Sequence, residues 1–210
     1  MSDLNNITES VIGGDAGQVV SLVQAEIDKG TNAGAILNDG LISGMDIVGE
    51  KMQSGDMFIP EVLMSAQAMA AAVEILKPLL GDEDNADSGT IILGTVKGDL
   101  HDIGKNLVRM MMESAGFNVI DLGVDVAPEK FVAAIQENNA NIVALSALLT
   151  TTMPMMKQTI DSINESGLRD QVKILVGGAP VSQSFADEIK ADGYAPDAGS
   201  ASKLSKSMLH

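Results

Sequence analysis

A histidine and an aspartate two positions apart, His101 and Asp99, are the residues of this sequence whose types and spacing could do chemistry. A neutral imidazole can bind a metal ion through one ring nitrogen while the other donates a hydrogen bond to a carboxylate. That carboxylate fixes the tautomer of the ring and raises its basicity. The spacing therefore makes His101 a candidate metal ligand and Asp99 its candidate hydrogen-bond acceptor.

A purely structural interpretation of the same loop stays open on spacing alone. His101 would then be an ordinary loop histidine, and Asp99 or Asp102 would cap the helix that follows. The other histidine of the chain is His210, and there is no cysteine, so a zinc or iron site built by protein alone would depend on carboxylates. A metal that is already held by a macrocycle needs one protein ligand. A tetrapyrrole-like cofactor would therefore use a single histidine economically.

The composition excludes several classes of function. The formal net charge is -16, whereas nucleic-acid binding depends on Lys and Arg that neutralise phosphates. The absence of cysteine excludes disulfides, iron–sulfur clusters and cysteine nucleophiles, and it fits a reducing compartment. The first residues lack the pattern of a secretory signal, and no segment approaches the roughly 20 uninterrupted apolar residues of a membrane span. We expect a cytoplasmic protein with neither nucleic acid nor membrane as partner.

The first part of the chain has the periodicity of helices. From residue 4 to about residue 80, apolar residues recur at steps of three and four. Asp15 and Thr31 are plausible N-caps, and a last helix is expected to begin near Pro60. We predict an all-α four-helix bundle over residues 1–80. The polar and acidic segment 81–89 is predicted to be an exposed linker or hinge.

The second part of the chain alternates short apolar runs with amphipathic segments. The strand candidates are 90–96, 118–122, 142–148, 172–176 and 193–195, and the helix candidates are 104–116, 128–138, 153–166, 182–191 and 199–209. This alternation predicts a flavodoxin/Rossmann-like α/β domain with a five-stranded parallel sheet over residues 90–210. In such sheets, ligands bind beyond the carboxyl ends of the strands. The loops that follow the strands are therefore the expected site, and the His101 loop follows the first strand.

Small and hydroxylated residues follow the other strands. The third strand is followed by the run SALLTTTMP at 146–154, the fourth by Gly177 and Gly178, and the fifth by Ala195. Each has a structural interpretation, because hydroxyl groups cap helices and glycines form turns. The glycine-rich dinucleotide and phosphate-loop fingerprints are absent from the strand-to-helix turns.

Taken together, these loops resemble the signature of cobalamin-binding domains. The shared motifs are D-x-H-x-x-G after the first strand, S-x-L after the third and G-G after the fourth. The helical half, with GDMFIPEV at 55–62, resembles the cap domain of methionine synthase and of small corrinoid proteins in multi-component methyltransferase systems. The resemblance implies cobalamin or a related corrinoid as cofactor, in methylcobalamin and Co(I) forms. The chain would be a corrinoid component that is not an autonomous enzyme.

The resemblance also implies a role for each matching residue. His101 would be the lower axial ligand of the cobalt, and Asp99 would hydrogen-bond the far nitrogen of the ring. Thr152 would extend this relay, since methionine synthase has a serine at the matching position. The further residues implied to bind the corrinoid or its nucleotide tail are Asp102, Ile103, Gly104, Ser146, Leu148, Thr150, Gly177, Gly178 and Ala195. The residues that would cover the upper face of the corrin, or else belong to the bundle core, are Phe58, Val62, Met57 and Met69.

The implied function is methyl transport between enzymes. The cobalt would accept a methyl group from a substrate-specific methyltransferase and deliver it to a second methyltransferase that uses tetrahydrofolate or a thiol, with a reductive activator protein as a further partner. The donor classes of such systems are methylamines, betaines, methanol and aryl methyl ethers. Two other cobalamin proteins share the histidine loop, the cobalamin-binding subunit of an adenosylcobalamin-dependent mutase and a cobalamin-sensing regulator. The helical half argues against the first, and the lack of a basic recognition helix argues against the second.

Overall fold

The computed structural model describes residues 4–80 and 89–209. The chain separates into two compact units, and the division along the sequence falls between residues 88 and 89. The predicted linker 81–89 lies almost wholly outside the described residues, as does His210.

The first unit is built from four helical rods. Its elements are α1 Leu4–Ile12, α2 Ala16–Asp28, α3 Ala33–Ala35, a π-helix Ile36–Ile42, α4 Ser43–Ser54, α5 Ile59–Leu76 and a 3-10 turn Lys77–Leu79. The segments α3, π-helix and α4 follow one another without interruption and form one rod. The predicted helical bundle is thereby confirmed.

The helix starts in this unit match the sequence prediction at one position and not at another. Asp15 caps α2 as predicted, because its carboxylate accepts a hydrogen bond from a backbone N–H of the first turn. The N-cap of α3 is Asn32, so the prediction of Thr31 was wrong. The Thr31 hydroxyl instead donates to the carboxylate of Glu26, at 2.7 Å. Glu26 is buried, and a buried carboxylate requires such donors.

The segment Ile59–Leu79 has the length and hydropathy of a membrane span. Its buried residues recur along one side of α5, and they are Val62, Ser65, Ala66, Ala68, Met69, Ala72 and Leu76. This spacing of three and four places them on the stripe that an amphipathic helix turns towards a core. We therefore interpret α5 as the core helix of the bundle.

The second unit is a parallel sheet of five strands with helices on both faces. The strands are β1 Thr90–Thr95, β2 Asn118–Asp121, β3 Ile142–Ser146, β4 Lys173–Gly177 and β5 Gly193–Ala195. The helices are α6 Ile103–Ser114, α7 Pro128–Asn138, α8 Met153–Glu165, α9 Gln183–Glu188 and α10 Ala198–Leu209. Every strand pair is parallel, so the predicted five-stranded parallel sheet is confirmed.

The strand order is β2-β1-β3-β4-β5, which places the first strand in the sheet between the second and the third. The chain leaves β1 towards one edge of the sheet and later returns to its other side. The strand order therefore reverses between β1 and β3, and open sheets of this kind bind ligands beyond the carboxyl ends of the strands at such a point. The His101 loop follows β1 at this edge of the sheet.

Candidate functional site

The His101 loop and the start of α8 meet at the carboxyl ends of two neighbouring strands. The loop of residues 96–102 connects β1 to α6, and Thr152 is the N-cap residue of α8, after β3. Strands β1 and β3 are hydrogen-bonded neighbours up to the pair Thr95 and Ser146. The sheet therefore brings together two loops that lie about fifty residues apart in the sequence.

Asp99 is the centre of this site. Its carboxylate is fully buried and accepts five hydrogen bonds. Oδ1 accepts from the His101 ring at Nδ1, at 2.7 Å, and from the His101 backbone N–H, at 3.2 Å. Oδ2 accepts from the Thr152 hydroxyl at 2.7 Å and from the backbone N–H groups of Leu148 and Leu149 at 2.8 and 3.2 Å. One carboxylate thus ties the β1 loop to the β3 loop.

The balance of forces on Asp99 keeps it ionised. Burial by itself raises the pKa of the carboxyl, because it penalises the charged form. The hydrogen bonds from Thr152, His101 and Leu148 outweigh burial and hold the pKa well below its usual range. An ionised carboxylate accepts hydrogen bonds and donates none. Each of its neighbours must therefore be the donor.

This requirement fixes the tautomer of His101. Since Asp99 can only accept, Nδ1 of the ring carries the hydrogen of the 2.7 Å contact. In the neutral ring, the lone pair then lies on Nε2, which is the nitrogen left to bind a metal. The His101 side chain is 49 % exposed, so a ligand can reach it. The geometry is that of a histidine prepared for one metal bond.

The structural interpretation as a helix cap does not match the contacts of Asp99, whereas Asp102 occupies the cap position directly before α6. The Asp99 carboxylate bonds the β3 side of the site and the His101 residue itself. The Asp102 carboxylate accepts from the side chain of Asn106, at 3.2 Å, while the Asp102 carbonyl accepts the Asn106 backbone N–H. Asp99 therefore serves the histidine, and Asp102 lies exposed at the start of α6.

The end of β3 differs from the prediction in a way that builds the site. The predicted strand 142–148 ends at Ser146. Beyond it, the N–H groups of Leu148 and Leu149 turn to Asp99 instead of continuing the ladder. The buried carboxylate needs these donors, and this need shortens the strand. The hydroxyl of Thr152 likewise makes no capping bond to α8.

Exposed apolar side chains surround the histidine. Leu100 and Ile103 are 71 % and 83 % exposed on either side of His101, and Leu148 and Leu149 are 42 % and 41 % exposed beyond β3. Large exposed apolar side chains that share one edge of a sheet mark a surface that binds something apolar. A flat macrocycle with a metal at its centre fits a surface that presents one nitrogen ligand among leucine and isoleucine.

A row of small residues crosses the sheet at the same edge. Thr95 is in register with Ser146, Ser146 with Gly177, and Gly177 with Ala195. Paired residues of parallel strands point to the same face of the sheet. Because all four residues are small, little side-chain volume covers that face along the row. Three of the four were predicted to bind the cofactor, namely Ser146, Gly177 and Ala195. The structure brings these three together, which the sequence could not show.

The two glycines predicted to give room differ in their surroundings. Gly178 has a φ of +128°, and a Cβ atom there would lie 1.9 Å from the carbonyl oxygen of Ala147. The neighbouring backbone therefore leaves room only for glycine at this position. A Cβ atom at Gly104 would meet nothing within 4 Å, so this position at the start of α6 is open to an approaching group.

The remaining predicted residues lie in the turn after β3 and in the helical unit. Thr150 is exposed in the turn after β3. Phe58 is 70 % exposed at the start of α5. Val62, Met57 and Met69 are buried, with 0 %, 8 % and 2 % exposure. Of the four residues expected over the corrin, Phe58 is the one whose side chain is exposed.

Three contacts of the loop were not predicted from the sequence. The buried hydroxyl of Thr95 donates to the His101 carbonyl at 2.9 Å. Leu149 supplies a second backbone donor to Asp99. Asp125, in the loop after β2, accepts the Gly98 N–H at 2.7 Å. None has a recognisable signal in the sequence. The contacts of Leu149 and Asp125 depend on which strands lie side by side, and the contact of Thr95 depends on how the loop after β1 folds back on the end of its own strand.

The donor set fits a metal that arrives with its own macrocycle. Within residues 4–80 and 89–209, no group of three or more His, Asp or Glu side chains comes together to hold an ion. The site instead offers one oriented imidazole, an apolar rim and a shallow row of small residues. These are the requirements of a corrinoid, whose ring supplies the equatorial ligands.

Two family models match this chain, and both are described as B12 binding domains. One covers residues 89–202 and the other residues 4–77. The first corresponds to the sheet unit with the His101 loop, and the second to the helical unit. Together they account for nearly all of the described residues.

Curated proteins and solved structures give the same result. The corrinoid protein DSY3155 of Desulfitobacterium hafniense is 44 % identical over 100 % of this chain and 98 % of its own length. A dimethylamine corrinoid protein of Methanosarcina acetivorans is 47 % identical over 83 % of this chain and 82 % of its own. A crystal structure of a cobalamin-binding protein from D. hafniense has a TM-score of 0.87 and 33 % identity, with full coverage of both chains. This chain therefore belongs to the family of B12-binding corrinoid proteins.

Proposed function

We propose that this protein carries methyl groups on a corrinoid, with His101 as the lower axial ligand of the cobalt. The observation that carries the proposal is the hydrogen-bonded chain from the His101 ring through Asp99 to Thr152, with both contacts at 2.7 Å. The bound corrinoid supplies a cobalt ion that can take up and release a methyl group. The protein supplies the ligand, its orientation and its proton balance.

The role of each residue follows from the contacts. Asp99 holds the hydrogen on Nδ1, so that the lone pair on Nε2 of His101 would be available to bind the metal. The Thr152 hydroxyl has one hydrogen and two acceptors in reach, the Asp99 carboxylate at 2.7 Å and the Leu149 carbonyl at 2.9 Å. By turning between them it can adjust how strongly Asp99 attracts the ring hydrogen. Thr152 therefore tunes the ligand without touching the cofactor.

The cofactor-binding surface is proposed from the same edge of the sheet. Ile103, Leu148 and Leu100 would contact the apolar side of the ring, and Asp102 and Thr150 lie exposed beside them. The residues proposed to receive the nucleotide tail share small side chains at one edge of the sheet, and they are Ser146, Gly177, Gly178, Ala195 and Gly104. Phe58 of the helical unit is proposed to cover the other side of the ring, since it is exposed and apolar.

The proposed partners are a methyltransferase that loads the protein and a second one that unloads it. A solved complex titled methanol:cobalamin methyltransferase complex MtaBC, from Methanosarcina barkeri, contains a chain with 33 % identity and a TM-score of 0.85 over 98 % of this chain. Several curated relatives at 39–47 % identity are named dimethylamine corrinoid proteins. These names support a methylamine-specific methyltransferase as the loading partner. A second methyltransferase with a thiol or tetrahydrofolate, and a reductive activator, complete the proposed cytoplasmic system.

Loading by both partners requires access to the same side of the ring. Segment 81–89 contains four acidic residues and separates the two matched domains in the sequence. We propose it as the hinge that lets the helical unit move aside during transfer.

The ligand assignment is tested by electron spin resonance of the protein loaded with cobalamin in its Co(II) form. The chain has only two histidines, so the variant His210→Ala is a matched control for His101→Ala. Growth with ¹⁵N-histidine should change the nitrogen splitting in the parent protein and in His210→Ala. In His101→Ala, growth with ¹⁵N-histidine should no longer change the nitrogen splitting. A parent spectrum without histidine coupling would show that the cobalt has another lower ligand.

The carrier role is tested with purified loading enzymes. The corrinoid-loaded protein is mixed with a dimethylamine-specific or a methanol-specific methyltransferase and its substrate, and methylation of the cobalt is followed by absorbance. We expect methylation with the methylamine enzyme, followed by demethylation when a thiol- or tetrahydrofolate-dependent enzyme is added. If neither enzyme methylates the cobalt, the proposed partners are contradicted.

A further inference from the structure

Asp125 has an unusual backbone conformation in the loop between β2 and α7. Three non-glycine residues within 4–80 and 89–209 have positive φ, namely Asp125 at 53°, Asn139 at 47° and Lys190 at 61°. Asn139 is the C-cap of α7, and Lys190 follows the end of α9, where left-handed residues are common. Asp125 ends no helix. Its left-handed conformation has another cause.

The contacts of Asp125 lead to the loop that contains the proposed ligand. Its carboxylate oxygen Oδ1 accepts the Gly98 N–H at 2.7 Å. Its own N–H donates to the Asp99 carbonyl at 2.9 Å. Two hydrogen bonds from one residue therefore bracket the peptide that joins Gly98 to Asp99. Gly98 also has positive φ, at 83°, and the turn is closed by a hydrogen bond from the Asp99 N–H to the Val96 carbonyl, at 3.1 Å.

These two contacts hold the main chain around Asp99, whereas the loop after β3 holds its side chain. The Asp99 side chain is bound from the β3 side, by Thr152 and by Leu148. The Asp99 main chain is bound from the β2 side, by Asp125. A carboxylate that is anchored at one end alone could turn about its backbone. With both ends fixed, it must face the His101 ring.

The surrounding backbone extends the connection between these loops. Val126 pairs with Val96 beyond the ends of β1 and β2, and its N–H donates to the Thr95 carbonyl at 3.0 Å. Val126 is fully packed in the core of the unit, with 1 % exposure. Asp125 is therefore placed by a rigid neighbour, although its own side chain is exposed.

We propose that Asp125 is a positioning residue, which prepares the Gly98–Asp99 turn so that His101 is oriented before the corrinoid arrives. This inference rests on the proposed ligation by His101. The hydrogen bonds of Asp125 reach the backbone of Gly98 and Asp99. It acts through the backbone of Asp99. Aspartate suits the position because it tolerates the left-handed conformation and supplies an acceptor.

Three substitutions separate the two properties of the side chain. Asp125→Asn keeps an acceptor oxygen and tolerates positive φ. Asp125→Gly tolerates positive φ and removes the acceptor, while Asp125→Ala removes the acceptor and also strains the backbone. The matched control is Asn139→Gly, which removes another left-handed side chain at a helix end outside the site. Thermal unfolding of each variant establishes that the fold is retained.

The first measurement needs no cofactor. Hydrogen exchange of the Gly98 amide in the full chain reports the bond to Asp125 directly. We expect Asp125→Gly to accelerate this exchange by roughly tenfold or more, as loss of a bond to a charged group implies. Asp125→Asn and Asn139→Gly should stay within about threefold of the parent. Equal protection of Gly98 in the parent and in Asp125→Gly would overturn the proposal.

The second measurement follows the histidine. After loading with cobalamin in the Co(II) form, the fraction of protein with histidine nitrogen splitting is expected to fall in Asp125→Gly and Asp125→Ala. It should recover in Asp125→Asn and stay unchanged in Asn139→Gly. Unchanged splitting in Asp125→Gly would overturn the positioning role. If the parent itself shows no histidine splitting, the ligand proposal fails instead, and the Gly98 exchange result still decides the role of Asp125.

Discussion

Thr152 donates its hydroxyl hydrogen to Asp99, and the two oxygen atoms lie 2.7 Å apart although the residues are separated by 53 positions of sequence. Thr152 begins α8, yet its side chain makes no bond to the helix that it caps. The hydroxyl contacts the carboxylate that bonds the His101 ring, and its second acceptor is the Leu149 carbonyl. The start of a helix after β3 is thereby connected through Asp99 to the proposed metal ligand in the loop after β1.

The first prediction concerns the Thr152 hydroxyl. Thr152→Val removes a hydrogen bond to a buried charge, and we expect a loss of about 1.5–3 kcal/mol in the free energy of unfolding. Thr152→Ser retains a donor and should lose less. The measurement is urea unfolding of both variants, with Thr150→Val as control, because Thr150 is exposed. Equal stability of the Val and Ser variants would show that the hydroxyl contributes nothing.

The second prediction concerns Asp99 and the cobalt ligand. Asp99→Asn replaces one acceptor oxygen by an amide that must face donors, so it disturbs the bonds to Thr152, Leu148 or His101. We expect the equilibrium of histidine ligation to shift by about 10- to 100-fold, with corrinoid binding retained. Spectroelectrochemical titration measures the shift, and Asp170→Asn serves as the control, because Asp170 is exposed in the turn before β4 and outside the site. A titration curve that matches the parent would contradict a role in the ligand system.

The third prediction concerns the dependence of stability on pH. The folded pKa of Asp99 is lowered relative to the unfolded value of about 3.9, so the folded state binds this proton less readily than the unfolded state. Its contribution to stability is therefore complete well above pH 4 and is lost as the pH falls below about 4 towards the folded value. Urea unfolding between pH 7 and pH 3 should show a steeper decline for the parent than for Asp99→Asn. Parallel profiles for the two proteins would contradict the prediction.

The fourth prediction concerns a buried ion pair beside the site. The amine of Lys105 in α6 is 2 % exposed and bonds Asp121 at the end of β2. Asp121→Ala leaves this amine buried with Asn106 as its remaining partner, and we expect a loss of about 3–5 kcal/mol in the free energy of unfolding.

The chain offers an exposed pair for comparison. Lys157 and Asp161 form a bridge along α8 with both side chains almost half exposed. Asp161→Ala should cost less than about 1 kcal/mol, because surface pairs are screened by water. The double variant Lys105→Met with Asp121→Leu should recover much of the loss, since it leaves no unpaired charge. Chemical denaturation measures all of these variants, and a cost for Asp121→Ala as small as that for Asp161→Ala would refute the buried pair.

The fifth prediction compares two glycines. Gly178→Ala places a Cβ atom 1.9 Å from the Ala147 carbonyl and strains a backbone with φ of +128°, so the protein without cofactor should lose stability. Gly104→Ala meets nothing within 4 Å and lies in a helix, so it should gain up to about 1 kcal/mol. If the corrinoid passes over Gly104, this variant should nevertheless bind cobalamin more weakly. Calorimetric titration measures the affinity, and undiminished binding would remove Gly104 from the cofactor surface.

The sequence by itself determined the two-part architecture and the candidate ligand. Helical periodicity up to residue 80 and the later alternation of strands and helices depend on local spacing, which is readable without a fold. The D-x-H pattern is equally local, because Asp99 and His101 lie in one turn. The membership in a corrinoid family was expected from these motifs, and the comparisons confirm it.

The tertiary structure decided what surrounds the ligand. The strand order β2-β1-β3-β4-β5 places the β1 loop between those of β2 and β3. Asp99 therefore meets Thr152 and Leu148 on one side and Asp125 on the other. The early end of β3 accompanies the bonds from Leu148 and Leu149 to Asp99, about fifty residues away in the sequence. The cap by Asn32 in place of Thr31 accompanies the bond from Thr31 to the buried carboxylate of Glu26. Such pairings depend on which strands and helices become neighbours, and local spacing carries no information about that.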